Sequence, residues 1–523
     1  LNNGAVGNGP LTWFNQDTAR LSNATSSTIR NSDLVHGTNV MEVQLPKLPD
    51  ITIQVNGQTI PSKGTDIVLL NWFQVTYDKL YLAENNVLEF RRPSFIPFPN
   101  TDLFRFELDG FRRPDVEIYK KGISRIVNFK IEDIIRGEFL EYKISFQDEV
   151  VTDDVEYIAL TPDMKKKPLR IELDLPPDEE NPNLVLQDAA NNAEYLIITN
   201  RTFLQGAREL LAYRESQGVA ARLISVQDIY DEFNFGIKSP LAIREFLRYA
   251  FFNWQRSPRL KYVVLLGDAT FDYKSKSDLD GDFVPTYFYQ TDLFGASASD
   301  YPYALISGDD DIPDLAVGRI PANTNSDIQN YVAKLIEYDQ ADVTLPWQSQ
   351  ALFISGNDRS TYELQNRFGE QFPAFRTQNS RVISTLMPKH LSSSRLNTIR
   401  DESLPPNEFD PNFGTRTTLI DRWNDGLMFI NFMGHGGGGI WADVNLMDIP
   451  DVELLNNKGR YPFITSMTCF TGSFENPLSE GLAERLVIVP DKGAIGVLAS
   501  SGLGYQNNDN TMMWFIGKLN FKG

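Results

Sequence analysis

The sequence predicts an α/β protein whose two parallel-sheet halves follow an all-β N-terminal region. Three observations support this fold class. Short segments with alternating apolar and polar residues dominate the first 175 residues, which is typical of antiparallel strands. After about residue 193, wholly apolar segments alternate with amphipathic helical ones, which indicates buried parallel sheets. At 523 residues the chain is also too long for one ordinary core, so two or three domains are expected.

The N-terminal region, residues 1–175, is predicted to be an antiparallel sandwich or barrel. Its clearest element is ITIQVNGQTI at residues 51–60, where two alternating segments flank an Asn-Gly turn, a strong hairpin signal. A polar, proline-bearing stretch follows this region, and we assign residues 176–192 to a linker. The further predicted strands lie in WFQVTYDKLYLAENNVLEF (72–90), LFRFELDGF (103–111), VEIYKK (116–121) and RIVNFKI (125–131).

Strand and helix signals alternate through the rest of the chain. YLIITN at 195–200 is a short apolar strand, and FLQGARELLAYRESQG at 203–218 is a helix that ends at a glycine cap. Because this pattern recurs, two α/β halves are predicted, 193–345 and 346–523. The later predicted strands are YVVLLGD (262–268), LAVGRI (315–320), QALFISGND (350–358), RVISTLM (381–387), LMFINFMGHG (427–436), YPFITSMTC (461–469) and GAIGVLASS (493–501).

Charge and composition exclude some classes of function. The formal net charge of −20 and the isoelectric point near 4.7 argue against a nucleic-acid partner, because no cationic surplus can displace its counterions. No apolar run reaches the roughly 18 residues needed to cross a bilayer. The chain begins LNNGAVGNGP, without Met or a leader peptide, so we expect a mature or truncated form.

Cys469 is the only cysteine, so no intrachain disulfide can form. It ends one predicted strand, and His435, inside the glycine run GHGGGG, ends another. Ligands of open parallel sheets bind beyond the carboxyl ends of the strands. The separation of 469 − 435 = 34 positions leaves room for the crossover between parallel neighbours. The two side chains are therefore predicted to face each other as a thiolate nucleophile and an imidazole partner.

The glycines after His435 also have a predicted role. Backbone N–H groups from Gly436–Gly439, together with the N–H of Cys469, would form an oxyanion hole for a substrate carbonyl. Taken singly, a glycine-rich turn with one histidine is more often only a turn, and a strand-end cysteine is more often a core residue. The combination favours chemistry, whereas His36 and His390 lie in segments with no comparable setting.

GHGG followed some thirty positions later by TC, each at the end of an apolar strand, resembles the gingipain-like cysteine peptidases. The stretches YVVLLGDATFDYK and DIPDLAVGRIPA also resemble that family. The resemblance implies a caspase-like α/β fold with Cys469 as nucleophile, His435 as general base and acid, and Gly436 as the second oxyanion donor. It further implies that Asp314 orients the histidine, although the family has glutamate there; a simple turn role is the alternative.

Two other features carry weaker predictions. Carboxylates concentrate in SDLDGDFVP (277–285) and SGDDDIPD (307–314), and their oxygens suit a structural Ca²⁺ ion. The ligands in the first stretch would be Asp278, Asp280 and Asp282; a solvated acidic loop is the alternative. Trp441 and Phe470 flank the dyad and are candidates for the substrate pocket, with core packing as the alternative. The chemistry itself requires no cofactor.

The resulting hypothesis is an extracellular or cell-surface cysteine endopeptidase or transpeptidase. The N-terminal region resembles that of the type IX secretion sortases, which implies removal of C-terminal signals from secreted cargo at the bacterial outer-membrane surface. That resemblance also implies a surface glycolipid acceptor and an outer-membrane barrel partner. Alternatives are a catalytically silent scaffold, a secreted degradative protease of gingipain type, and a cysteine hydrolase acting on esters or small amides. The preferred residue on the acyl side of the scissile bond is left open.

Overall fold

The computed structural model divides the chain into two compact units. The first contains the described residues up to 171, and the second contains those from 185 onward. No helix among the described residues is long and apolar enough to span a membrane. The structure describes residues 40, 50–55, 58–63, 80–93, 103–150, 152, 154–171, 185–276, 281–291, 295–357, 375–401, 403–441 and 445–521.

The first unit is built from antiparallel strands, as predicted. They are β1 (Asp50–Val55), β2 (Gln58–Lys63), β3 (Val87–Arg91), β4 (Leu103–Phe111), β5 (Glu117–Lys120), β6 (Ser124–Ile126), β7 (Lys130–Arg136), β8 (Phe139–Glu149) and β9 (Glu156–Leu160). β1 and β2 form the hairpin predicted from ITIQVNGQTI. Two further sheets, ordered β3-β9-β5-β6 and β4-β8-β7, share an aromatic core around Phe90, Phe106 and Tyr157.

The second unit begins with a four-stranded parallel sheet ordered β11-β10-β12-β15. The elements of this first half of the unit are β10 (Tyr195–Thr199), α1 (Leu204–Ser216), β11 (Ala221–Ser225), α2 (Val226–Asn234), α3 (Pro240–Asn253), β12 (Tyr262–Leu266), β13 (Tyr287–Thr291), β14 (Gly295–Ser299), β15 (Ala316–Ile320) and α4 (Asn325–Asp339). Alternate residues of β10 face opposite cores: Leu196 and Ile198 pack with α2 and α3, and Ile197 packs with α1 and α4. This two-sided burial explains why the strand is wholly apolar.

The second half of this unit contains a five-stranded parallel sheet ordered β17-β16-β18-β22-β23. The elements of this second half are β16 (Gln350–Ser355), α5 (Phe375–Thr385), β17 (Ser392–Asn397), α6 (Arg416–Asp425), β18 (Phe429–Met433), β19 (Gly436–Gly437), β20 (Ile440–Trp441), β21 (Met447–Asp448), β22 (Phe463–Met467), α7 (Leu482–Ile488), β23 (Gly496–Ala499) and α8 (Gln506–Phe521). Leu352 and Ile354 of β16 pack with α6 and α7, whereas Ala351 and Phe353 pack with α5 and α8. Helices therefore cover both faces of this sheet as well.

Two predictions of local structure are corrected. RVISTLM is not a strand: its first five residues end α5, and Val382 and Leu386 are both buried at the i, i+4 spacing of a helix. Residues 185–192 are not a linker but part of the second unit. Leu186 is fully buried, its N–H donates to the Glu232 carboxylate, and its carbonyl accepts from the Trp254 indole.

Candidate active site

His435 and Cys469 follow neighbouring strands of the second sheet. β18 pairs with β22 in parallel, and Met433 lies opposite Met467. Each candidate residue comes two positions after its strand, so both loops leave the same edge of the sheet at the same height. Both side chains are half-buried, which leaves them partly accessible.

A buried polar network fixes the register of these two strands. The Asn431 side-chain oxygen accepts from the Thr465 hydroxyl at 2.8 Å, and its amide donates to Asn379 at 2.7 Å. The Asn379 amide in turn donates to the Ile354 carbonyl at 2.9 Å and to the Ser355 hydroxyl at 3.0 Å. A slip by one residue would break these bonds and turn apolar side chains to the wrong face. The network therefore holds the His435 and Cys469 loops level with each other.

Glycine is required next to His435 because the two loops touch there. A Cβ on Gly436 would lie 2.6 Å from the Thr468 hydroxyl and 3.1 Å from the Cys469 carbonyl oxygen. A Cβ on Gly434 would lie 2.7 Å from the Phe432 ring. By contrast, a Cβ on Gly438 would enter open space. Part of the glycine run thus serves close approach of the His435 and Cys469 loops rather than flexibility.

The Cys469 thiol lies beside the start of the C-terminal helix. Its Sγ donates to the Gly504 carbonyl at 3.6 Å. Burial raises the pKa of the Cys469 thiol, and the nearby Asp509 carboxylate raises it further. The backbone N–H of Cys469 faces its own Sγ and has no other acceptor among the described residues, as an oxyanion donor requires.

Phe470, the residue after Cys469, has a left-handed backbone with φ of +59°. A bulky residue adopts this conformation only when its surroundings enforce it. The Phe470 N–H donates to the Gly502 carbonyl at 2.8 Å, and the Gly472 N–H donates to the Ser500 carbonyl at 2.9 Å. The segment 500–504 therefore runs alongside the Cys469 loop and holds its turn. Phe470 is half-buried beside Cys469, and its role in a substrate pocket stays a prediction.

His435 packs against α5. Its ring meets the Phe375 ring edge to face, with centroids 5.5 Å apart. This contact limits rotation of the imidazole and covers one side of it with apolar surface. The histidine is thus held by packing from a helix that lies about sixty positions earlier in the chain.

Trp441 is a core residue, and its prediction as a pocket residue is corrected. Its side chain is 1% exposed and lies parallel to the Phe432 ring at 4.6 Å. Its indole N–H donates to the Ser466 hydroxyl at 2.8 Å. A side chain with this little exposed surface has none to offer to a substrate.

Asp314 organises its own loop. One carboxylate oxygen accepts from the backbone N–H groups of Ile306 at 3.0 Å and Ser307 at 2.8 Å. The residue precedes β15, whereas the other candidate catalytic residues follow their strands. The structure thus places Asp314 in the turn role that the sequence left as the alternative.

The predicted calcium ligands divide into two groups. Asp278 and Asp280 lie outside the described residues. Asp282 is engaged by other partners: its carboxylate lies 2.6 Å from the Lys238 ammonium and accepts from the Thr270 N–H at 3.0 Å. A cation of this kind competes with a metal ion for the same oxygens. Within the described ranges, no group of three or more His, Cys, Asp or Glu side chains is arranged to hold a metal ion.

Comparison with known proteins identifies the family. The model of peptidase family C25 matches residues 188–518, more than half of the chain. Gingipain R2 of Porphyromonas gingivalis is 22% identical over 287 residues, which cover 54% of this chain and 33% of that protein. The chain thus spans about a third, or less, of the curated gingipains it matches first.

Two solved structures are similar to part of this chain. The complex of Porphyromonas gingivalis RgpB pro- and mature domains matches with a TM-score of 0.48 at 18% identity, covering 62% of this chain and 68% of that one. Dimeric latent PorU of Porphyromonas gingivalis matches with a TM-score of 0.39 at 16% identity, covering 50% and 25%.

Proposed function

The chain belongs to peptidase family C25, and we propose that it cleaves peptide bonds through a thioester on Cys469, with His435 as general base and acid. The observation that carries this proposal is the paired register of Met433 and Met467, which delivers both side chains to one edge of the sheet. The close contact of Gly436 with Thr468 supports it, because the two loops then form one site.

The reaction follows from these groups. His435 takes the thiol proton, and the Cys469 thiolate attacks the carbonyl carbon to give a tetrahedral oxyanion. The N–H groups of Gly436 and Cys469 stabilise this oxyanion. The C–N bond then breaks, and His435 gives its proton to the leaving amine. The remaining thioester reacts with water to give an acid, or with an amine to give a new amide, and the thiol is restored.

We further propose that the acceptor is an amine, as in a sortase. The resemblance of the N-terminal region to type IX secretion sortases supports this assignment. The substrate would be the C-terminal signal of a secreted cargo protein, and the acceptor a glycolipid at the outer-membrane surface. In this proposal an outer-membrane barrel holds the enzyme at the cell exterior. A structural Ca²⁺ ion bound through Asp278 and Asp280 stays a prediction.

A peptide library tests both parts of the proposal. The protein is incubated with mixed peptides, with and without an added primary amine, and the products are identified by mass spectrometry. Cleavage that is absent in Cys469→Ala supports the peptidase. Amine adducts at the new C-terminus support transfer, whereas free acids alone favour the degradative protease. Absence of cleavage in the wild-type protein would favour the scaffold, and turnover of small esters alone would favour the other hydrolase class.

A further inference from the structure

The first turn of α7 contacts both catalytic loops. The Leu482 N–H donates to the Gly438 carbonyl in the histidine loop at 2.9 Å, and the Ala483 N–H donates to the Thr471 carbonyl in the nucleophile loop at 3.0 Å. These two donors are adjacent in the chain. Any shift of the start of α7 therefore moves both loops, and a fixed α7 keeps them in register.

α7 is attached to the first half of the unit at two points. The buried Glu484 carboxyl faces that of Asp268, which follows β12. These residues are only 7% and 8% exposed. Two residues further along, the Leu486 carbonyl accepts from the Lys334 ammonium of α4 at 3.3 Å. The helix is thus held by one contact near each end.

Both partners of the Glu484 contact are themselves fixed. Glu484 accepts from the N–H of Gly481, just before the helix, at 2.8 Å. Asp268 accepts from the Ala269 N–H at 2.8 Å and from the Asn323 amide at 3.1 Å. The pair therefore transmits the position of β12 to the start of α7 without a flexible link.

We propose that Glu484, which faces Asp268 and accepts from the Gly481 N–H, is the positioning residue that aligns the His435 and Cys469 loops through the first turn of α7. This inference rests on the proposed function, since it assigns a role in the same reaction. Glu484 acts through the backbone of Leu482 and Ala483 and does not touch the reacting atoms.

The surroundings of the pair favour the protonated form. Burial raises the pKa of both carboxyls, to about 7 for Asp268 and to about 9 for Glu484, and like-charge repulsion from Asp268 raises the pKa of Glu484 further. Because these pKa values lie above the ordinary range, the contact is fully present at acidic pH and is lost as pH rises through the raised values. The charged or titratable groups that face the pair are Glu480, Asp282 and Arg319.

Lys334 titrates in the opposite sense. Burial lowers its pKa to about 7. A lowered pKa means that folding disfavours the charged form of Lys334. The free energy of unfolding therefore increases as pH rises through that value. Alkaline loss of alignment is therefore expected from the carboxyl pair and not from Lys334.

Alkylation of Cys469 tests the proposal. We define the labelling excess as the iodoacetamide labelling rate of a variant divided by that of the same variant with His435→Ala added. Glu484→Gln places a permanent amide donor beside Asp268 and should keep the wild-type excess at pH 7. The pH at which the labelling excess of Glu484→Gln declines should be higher than in the wild type by about one pH unit or more. Glu484→Ala should lose the excess at every pH, while Glu215→Gln, which changes an exposed carboxyl of α1, should behave like wild type.

The outcomes separate the two proposals. A wild-type labelling excess of one at all pH values would show that His435 does not activate Cys469, and it would refute the proposed function. A clear wild-type excess that Glu484→Ala retains, or a Glu484→Gln profile that superimposes on wild type, would overturn the positioning role alone. Near-ultraviolet circular dichroism checks that each variant is folded, and Glu484→Gln keeps the test valid if Glu484→Ala does not fold.

Discussion

The two halves of the second unit use the ends of their parallel strands differently. In the first half, the Arg319 guanidinium is buried and pairs with both carboxylate oxygens of Asp300 at 2.6 and 2.8 Å. It also donates to the carbonyls of Gly267 and Val284, and its charge lies 4.9 Å from the centre of the Phe474 ring in the Cys469 loop. The Arg319 guanidinium at that edge therefore has its hydrogen-bond partners within the protein.

In the second half, the corresponding edge carries half-buried His435 and Cys469 and close-packed glycines. The hydrogen-bonded polar side chains of this half lie inside the sheet instead, in the Asn431 network between β18 and β22. The comparison shows a division of roles. The first half provides rigid support, and the second half presents reactive groups on loops that this support aligns.

The largest expected effect is the loss of peptide cleavage when Cys469 or His435 is replaced. Cys469→Ala removes the nucleophile and should lower the rate of peptide cleavage by about 10⁴-fold or more. His435→Ala removes proton transfer and should lower it by about 10²–10⁴-fold. Both variants should keep the wild-type melting temperature. Rates are measured with a peptide found in the library experiment, and a residual rate near wild type in either variant would refute the dyad.

The second prediction breaks the support. Arg319→Met removes the buried guanidinium, leaves the half-buried Asp300 carboxylate without its cation and should lower the free energy of unfolding by about 3–5 kcal/mol. Urea unfolding measures this change. Lys261→Met removes the exposed pair with Glu194 and serves as the control, with little expected change. Equal effects of the two substitutions would show that the first-half network is not a specific support.

The third prediction concerns the contact between the loops. Gly436→Ala forces a Cβ against Thr468 and should slow peptide cleavage about tenfold by pushing the loops apart. Gly438→Ala is the matched control, since its Cβ meets no atom within 4 Å. Steady-state kinetics compare the two. If both variants cleave at the wild-type rate, close approach at Gly436 is not needed for the reaction.

The smallest expected effect concerns the charge beside the thiol. Burial raises the pKa of Asp509 to about 6. Above this pH, Asp509→Asn removes a negative charge and should speed iodoacetamide labelling of Cys469 a few-fold. Below it the carboxyl is protonated and the two rates should converge. Asp425→Asn, at an exposed helix end, is the control, and a pH-independent ratio would contradict the assignment.

The same raised pKa gives a stability prediction for Asp509. Folding favours its protonated form, so the stability it contributes is fully present below the ordinary carboxyl pKa and is lost as pH rises through about 6. The wild-type melting temperature should therefore fall relative to that of Asp509→Asn over this window. A constant difference across the window would contradict it.

The sequence was sufficient to predict the parts of the site that depend on strand ends. Apolar runs place β18 and β22 in a buried parallel sheet, and the separation of 34 residues suits adjacent strands. Trp441 was misplaced because its distance along the chain from His435 says nothing about which face of β20 is buried. RVISTLM was misread because a short apolar run fits a strand or a buried helix end equally well.

The supports of the site had no sequence signal. The donors at the start of α7 are backbone N–H groups, which every non-proline residue has, so their partners depend on tertiary packing alone. Glu484 resembles an ordinary helix-capping residue in sequence, and its contact with Asp268 joins positions more than 200 residues apart. Only the folded chain shows that this contact leads to both catalytic loops.

The most direct test of the account is the rate of Cys469 labelling by iodoacetamide across pH, in the wild type and in His435→Ala. Burial raises the thiol pKa, so an isolated Cys469 should react slowly at neutral pH. The account predicts fast labelling of the wild type near pH 7 and a sharp decrease in the variant. Slow labelling that is the same in both proteins would contradict a His435-activated nucleophile.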